Sequence, residues 1–444
     1  MDFSKEFEKK LVSPDTAAKL VKSGDRIMIG EIATVTPVFE AALARRYKEL
    51  KDIVIYCDDD FIDFEMFKLD PNGEHFTVAD ICFSTLGRKY SQEGKSYYHL
   101  PMLYHEITSY YRALDFNVAC VPVTPMDENG YFNFGPTGGN TSVVRSLTKK
   151  LVVEINETLP YCYGKSPLIH ISDIDYIIKG NNQPLLALDK VTVEEEDKLI
   201  ANHIVNLMED GMVIQLGIGK IPNYVGELIA RSDLKDLGIH TEMMCDSFMN
   251  LCEAGKITNS KKTLHKGKSI YTFALGSKKL YDWLDHNEDV LIYPVEYVNN
   301  PLIISQNDKV CSICGCVNID LYGQVSSESY GAKQISTTGG QLDFIYASYH
   351  SKGGKGFVCT NSVKKGKDGR LVSNIVPTFA PYTTVTLPRS ISYYLVTEYG
   401  AVNLKGKTTW ERAEAVISIA HPDFRDGLIK EAEKMNIWRK TNKI

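Results

Sequence analysis

The chain has 444 residues, 43% of them hydrophobic and 24% charged, and carries a formal net charge of -6. That length leaves room for two domains, each with its own core. An acidic balance without a dominant basic patch excludes nucleic acid or an anionic membrane as the main partner.

The amino terminus, Met1 to Lys10, alternates charge and lacks an apolar core, and no run approaches the length of a bilayer span. A secretory signal and a membrane helix are therefore not expected, and the expected location is cytoplasmic. The first structural passage is Ala17-Ala-Lys-Leu-Val-Lys-Ser-Gly24-Asp-Arg-Ile-Met-Ile-Gly30: an amphipathic helix stopping at a glycine, a short apolar strand, then a loop closed by Pro37. A helix is expected from Pro37 to Glu49. Strands are expected at Asp52–Tyr56, Asn117–Val121, Leu151–Ile155 and Tyr176–Ile178, alternating with helical patterns. The polar stretch Gly180-Asn-Asn-Gln-Pro184, before the acidic helix start Thr192–Asp197, places a domain boundary near residue 190, giving domains 1–190 and 191–444.

Beyond the boundary the opening pattern returns. Ile204-Val-Asn-Leu-Met-Glu-Asp-Gly211-Met-Val-Ile-Gln-Leu-Gly217 again sets helix, glycine, apolar strand and glycine loop in that order, this time closed by Pro222. Two related α/β halves with mainly parallel sheets covered by helices are the simplest explanation. The second copy continues as Gln215-Leu-Gly-Ile-Gly-Lys-Ile-Pro222, where Gly217 and Gly219 permit backbone angles closed to other residues and bring bare amides toward an anion. Pro222 is expected to start a helix running from Asn223 to about Ser232. A dinucleotide fingerprint fails here, because the place of its third glycine falls on Pro222. An unliganded strand-to-helix turn is the other reading of the same residues.

Glu242 follows in His240-Thr-Glu242-Met, at the start of a strand. Further strands are expected at Ser269–Leu275, Val290–Val295 and Tyr393–Val396, and helices at Thr409–Ala420 and Pro422 to about Met435. In Val310–Ile319, Cys314 and Cys316 would share a strand face with Cys311 opposite, which fits buried small side chains and gives no metal-ligand spacing; no metal site is expected. The ten cysteines are scattered and fit reduced thiols. The basic run Lys364-Lys-Gly-Lys367 reads as a hairpin tip that is either solvated or, through Lys367 in particular, in reach of a phosphate.

Eight segments in order carry a resemblance over essentially the whole chain: Gln215–Gly219, Leu237-Gly-Ile-His-Thr-Glu-Met243, Glu253–Ile257, Thr338-Gly-Gly-Gln-Leu-Asp-Phe344, Ser351–Lys355, Val396-Thr-Glu-Tyr-Gly400, Ile419–Arg425 and Leu428–Met435. The chain resembles the acetyl-CoA hydrolase/transferase branch of the class I CoA-transferases. The resemblance implies two similar open α/β domains with the active site between them, a homo-oligomer (a dimer or a dimer of dimers), and transfer of CoA from a short-chain acyl-CoA such as butyryl-CoA to acetate. Transfer to 4-hydroxybutyrate, or acyl-CoA hydrolysis by the same glutamate, are the alternatives it leaves.

It further implies that Glu242 is the covalent catalyst, that Gly217, Ile218, Gly219, Lys220 and Ile221 bind the CoA thioester arm, and that Gly340 lies against CoA. CoA is then substrate and covalent passenger, and no permanently bound cofactor is expected. A carboxylate nucleophile needs no base, so His240 reads as structural. Gln341 and Asp343 either order the site or cap local backbone. The loop Glu31-Ile-Ala-Thr-Val-Thr-Pro37 lacks the His and the Gly-Glu-Pro ending common in such proteins, and Lys220 stands where a small residue is usual. The Glu31–Pro37 loop is expected to help hold the substrate carboxylate.

Overall fold

In a computed structural model of the protein, residues 3–58, 62–188, 192–217, 219–391 and 393–441 are described. The chain divides into two compact units: Met1–Asp189, Glu242–Asp246 and Ile270–Val298 form the first, and Lys190–Thr241, Ser247–Ser269 and Asn299–Ile444 the second.

The first unit is built on seven strands: β1 (Arg26–Ile29), β2 (Ile53–Cys57), β3 (Phe76–Asp80), β4 (Tyr97–His99), β5 (Phe116–Val123), β6 (Thr148–Ile155) and β7 (Tyr176–Lys179). They lie in the order β7-β6-β5-β1-β2-β3-β4, all parallel. A parallel sheet is covered on both faces, so its strands are near-continuous apolar runs; Ile27, Ile29, Ile53, Ile55, Val118 and Val152 are all buried. Helix α1 (Pro37–Ala44) follows β1, with proline in its first turn and Phe39, Ala42 and Leu43 on the sheet. It ends at Ala44, and a short 3-10 turn at Tyr47–Glu49 completes the stretch expected to be one helix.

The second unit repeats the plan. Helix α2 (Glu195–Val205) precedes β8 (Val213–Leu216), and α3 (Lys220–Arg231) leads to β9 (Gly238–Ile239). Then come β10 (Val310–Gly315), helix α4 (Gln341–His350), β11 (Lys355–Cys359), β12 (Tyr394–Thr397) and β13 (Gly400–Asn403). The order is β9-β8-β10-β11-β12-β13, parallel except for the last pair. In both sheets the first strand has its successor on one side and a later strand on the other, so β1/β5 and β8/β10 are equivalent switch points. The repeated glycines also match: Gly24 (φ +83°) and Gly211 (φ +74°) turn the chain into β1 and β8.

Several elements differ from expectation for local reasons. The helix expected to open at Pro222 starts two residues earlier, because a proline lacking its N–H is tolerated anywhere in a first turn. Its buried face is Pro222, Val225, Gly226 and Ile229. Burial of Val225 and Ile229 stabilises the unit by about 2 kcal/mol each. Gly226 is required by contact: a Cβ there would stand 2.7 Å from Ser247 Cβ.

The strand expected at Ser269–Leu275 is broken at Thr272 into Ser269–Tyr271 and Phe273–Ala274. That expected at Val310–Ile319 ends with β10 at Gly315, and Asn318–Asp320 joins another sheet. The first helical passage is shorter, Pro14–Ala18, and α2 ends at Val205, well before Gly211. Glu242, read from sequence as part of 191–444, packs with the first unit: Met243–Met244 pairs in parallel with Phe273–Ala274 there. A two-residue strand has no periodicity to announce it.

Candidate active site

The second unit presents a groove of about 740 Å³ at the carboxyl ends of β8, β10 and β11, beside the switch point. That is where open α/β sheets bind ligands, and the volume suits a substrate-sized molecule. One wall is the start of α3: Gly219, Lys220, Ile221 and Pro222. Gly219 is its N-cap with φ +129° and ψ -177°, a conformation essentially reserved for glycine. Among the described residues, chain neighbours aside, no atom lies within 4 Å of where its Cβ would stand. The glycine is therefore needed for backbone angles and not for room. The N–H groups of Lys220 and Ile221, in the first turn, are without helical acceptors and face an anion favourably.

The floor is Gly315, Cys316, Cys359 and Thr360, at the ends of β10 and β11. Gln341, the first residue of α4, fixes Gly315 by donating Nε2–H to its carbonyl at 2.7 Å while its Oε1 accepts from Ser327 at 2.6 Å. Gln341 thus orders the floor. A third wall is a hairpin, Val363–Lys365 with Leu371–Ser373, whose Lys364 and Lys365 border the groove. Lys364 Nζ stands 4.5 Å over the Tyr330 ring, and burial lowers its ammonium pKa from the usual lysine value. The acidic start of α2 (Glu194, Glu196 and Asp197) supplies the opposite side, and Lys220 Nζ lies 3.8 Å from Glu194 Oε1.

Of the residues singled out in sequence, Gly219, Lys220 and Ile221 line the groove; Gly217 lies behind them, its N–H bonded to Ile313 O at 2.9 Å. Ile218 lies outside the described residues. Gly340 is the N-cap of α4, and Lys367 sits exposed near the hairpin tip, neither of them among the lining residues. His240 is buried with its ring 6.4 Å from that of Phe344. Cys311 and Cys314 are buried in β10, and among the described residues no group of three or more His, Cys, Asp or Glu is arranged around a metal position. No helix among the described residues is long and apolar enough to cross a membrane.

Glu242 lies in the first unit, half-buried, its carbonyl accepting from Thr272 N at 3.0 Å and Phe273 N at 3.3 Å. The same unit holds buried strand-end carboxylates, of which the sequence pointed only to Glu31, through the loop it opens. One stands at or within two residues of the end of each of β1, β2 and β3: Glu31, Asp58 and Asp80, all fully buried. Glu31 accepts from three successive amides, Gly139 (2.9 Å), Asn140 (3.1 Å) and Thr141 (3.0 Å). Asp58 accepts from Tyr104 Oη and Cys82 Sγ, both at 2.8 Å. Asp80 accepts from Tyr97 Oη at 2.6 Å and Phe83 N at 2.8 Å.

Burial raises Glu31 to about 7 despite its three amides, and burial reinforced by the Glu31 charge raises Asp58 well above the usual carboxylate range. Burial, Asp58 and, with smaller effect, Glu31 and Glu242 push the Tyr104 phenol upward. The available signal was positional: an acid directly after each apolar strand, as in Ile29-Gly-Glu31, Cys57-Asp58 and Ala79-Asp80.

Comparison with known proteins bears on both regions. Residues 1–189 match the acetyl-CoA hydrolase/transferase N-terminal domain and residues 276–432 the corresponding C-terminal domain. The chain is 44% identical to a probable butyrate:acetyl-CoA coenzyme A-transferase of Syntrophomonas wolfei, over 99% of this chain and 98% of that protein. It is also 44% identical to a butyryl-CoA:acetate CoA-transferase of Anaerostipes caccae, over the full length of both. Among solved structures, RipA of Yersinia pestis matches with a TM-score of 0.90 at 33% identity, covering 98% of this chain and all of that one. A 4-hydroxybutyrate CoA-transferase of Porphyromonas gingivalis matches with a TM-score of 0.80 at 31% identity and the same coverage. The chain therefore belongs to the acetyl-CoA hydrolase/transferase family.

Proposed function

We propose that this protein transfers CoA from a short-chain acyl-CoA, butyryl-CoA or a near analogue, to acetate, through a thioester formed on Glu242. The observation that carries the reading is the groove at the β8/β10 switch point. Its Gly219 turn, free helical amides and flanking lysines suit a long phosphate-bearing arm. The full-length identity to proteins bearing CoA-transferase names supports the same conclusion. Gly217 to Ile221 would bind the arm, Gly340 would lie against CoA, and Lys367 of the hairpin would meet its terminal phosphate with Lys364.

On this reading the ionised Glu242 attacks the acyl-CoA carbonyl, the carbon–sulfur bond breaks, and CoA leaves as thiolate with an acyl-glutamyl anhydride remaining. The thiolate then attacks the glutamyl carbonyl, releasing the acid as carboxylate and leaving a Glu242–CoA thioester. Acetate reverses both steps and departs as acetyl-CoA. Each addition places negative charge on a carbonyl oxygen, and one preorganised amide directed at it contributes about 3 kcal/mol. No oxidation state changes and the thioester bond is conserved, so the cycle consumes only the acyl-CoA and acetate, with CoA carried between them. The enzyme would act in the cytoplasm as a homo-oligomer, in fermentative butyrate metabolism.

Incubation with butyryl-CoA alone is expected to attach CoA to Glu242, seen by mass spectrometry, and Glu242→Gln is expected to lower kcat by about 10⁴-fold or more. Full activity in that variant removes the nucleophile. CoA release from the wild type at a rate indifferent to acetate would instead identify a hydrolase.

A further inference from the structure

For the acid's own binding site the sequence offers only the Glu31–Pro37 loop, and the first unit also holds an unexplained set of polar atoms. The side chain of Asn140 is fully buried, and neither its Oδ1 nor its Nδ2 has a hydrogen-bond partner among the described residues. The same is true of Thr272 Oγ1, also fully buried. Each such atom costs about 1–3 kcal/mol of uncompensated desolvation, so folded proteins rarely keep several together without use for them.

These atoms belong to touching segments. Gly138 N donates to Thr272 O at 3.0 Å, Ala274 N donates to Pro136 O at 2.8 Å, and Thr272 N donates to the carbonyl of Glu242 at 3.0 Å. The Thr272 peptide is thus the direct link between the Pro136-Thr-Gly-Gly-Asn140 loop and the backbone of the proposed nucleophile. Glu31 clamps that loop through the amides of Gly139, Asn140 and Thr141. Gly139 makes the clamp possible: a Cβ there would collide with Glu31 Oε1 and stand 3.5 Å from Thr272 Oγ1.

We propose that Asn140 Nδ2 and Thr272 Oγ1 grip the carboxylate oxygens of the acid substrate beside Glu242, with Glu31 positioning the loop that carries Asn140. The inference rests on the transferase reading. A carboxylate offers only acceptors, and these two groups are donors that nothing among the described residues engages. Charge weighs less against an anion there, because burial raises the neighbouring Glu31 to about 7 and Asp58 well above the ordinary carboxylate range. A mixed anhydride on Glu242 requires the acid to lie against that glutamate, and both donors sit on the two segments bonded in series to it.

Steady-state kinetics with butyryl-CoA and acetate, together with thermal unfolding, test this in Asn140→Ala and Thr272→Val. The acetate KM is expected to rise about fivefold to a hundredfold in each variant, the loss of one buried hydrogen bond to a charged group. The butyryl-CoA KM should stay within about twofold, and Tm should hold or rise, since an unpartnered polar group has been removed. Thr272→Val keeps the side-chain shape and carries the test alone if Asn140→Ala does not fold. An acetate KM unchanged in the folded variants, whatever happens to kcat, overturns the subsite. So does an equal rise for acetate and butyryl-CoA. If wild-type protein forms no CoA adduct from butyryl-CoA, the transferase reading itself fails; if it does and the acetate KM is unmoved, only this subsite fails.

Discussion

The two units place their chemistry at the same topological position and fill it in opposite ways. At the end of the second unit's sheet the strands finish in Gly217, Gly315 and Cys359, and the result is a groove bordered by lysines and by the acidic start of α2. At the end of the first unit's sheet they finish in Glu31, Asp58 and Asp80, and the result is a closed cluster in which each carboxylate is held by amides, phenols or a thiol. Small residues leave space for a ligand's atoms; long acids occupy that space themselves and stiffen the loops around them. The duplication conserved the position of the site, and the strand-end residues decided whether it opened as a groove or set as a scaffold.

The sharpest way to break this contrast is at Gly219. Because no non-neighbouring atom among the described residues lies within 4 Å of a Cβ there, Gly219→Ala tests backbone conformation. Alanine at φ +129° costs about 1–3 kcal/mol. Either the start of α3 shifts or the unit bears the strain, and the acyl-CoA KM is expected to rise about tenfold to a hundredfold with little change in the acetate KM. An unchanged acyl-CoA KM would mean that the α3 amides do not hold the arm.

Much of this was legible in the sequence, and the reason lies in period and punctuation. Glycines before β1 and β8, apolar runs within them and glycine after them disclosed the repeat, since a parallel strand buried on both faces has no other composition open to it. The glycine turn itself was legible as an apolar strand followed by spaced glycines, while the binding role of Gly219, Lys220 and Ile221, which line the groove, came from the resemblance. The first unit's cluster was not legible. Glu31, Asp58 and Asp80 become neighbours only through the pairing of β1 with β2 and β2 with β3, and Asn140 joins Glu31 across 109 residues of chain. Nothing local separates a strand-end acid that is buried from one that is solvated. The placement of Glu242 with the first unit was hidden likewise, resting on the two-residue pairing of Met243 and Met244 with Phe273 and Ala274.

The carboxylates also make the first unit pH-sensitive in a direction opposite to ordinary acid denaturation. Glu31, Glu40 and Glu154 are each raised by burial to about 7 from a starting value of 4.5. The folded state therefore holds their protons more tightly than the unfolded chain does. Their contribution is fully present below about 4.5 and is lost as pH climbs through about 7, at up to roughly 3 kcal/mol per group. Lys262, lowered by burial to about 7 and donating to Ile239 O and Lys268 O, works the other way, losing stability only as pH falls from 10.5 toward 7. Between pH 5 and 7 the carboxylates thus act unopposed by Lys262, and Tm is expected to fall by at least about 4 °C. Glu154→Gln should flatten that slope; its carboxylate caps α1 through Val38 N and Phe39 N, so the variant loses one acceptor while shedding the titration. A Tm that rises from pH 5 to 7 contradicts the raised values of Glu31, Glu40 and Glu154.

The smallest effect separates the hairpin lysines. Lys364 borders the groove, with its Nζ over Tyr330, whereas Lys367 lies in solvent near the tip. An exposed ammonium contributes about 0.5–1 kcal/mol to an ionic contact, so Lys367→Ala is expected to raise the acyl-CoA KM about twofold to fivefold, and less at high salt. Lys364→Ala should cost more, because its ammonium borders the groove and sits over the Tyr330 ring. Repeating the pair with a CoA analogue that lacks the terminal phosphate assigns the contact: the lysine whose substitution no longer matters is the one that met it. If neither substitution depends on that phosphate, the hairpin closes over the arm without reaching its charged end, and the lysine-bordered groove recognises CoA through the α3 amides alone.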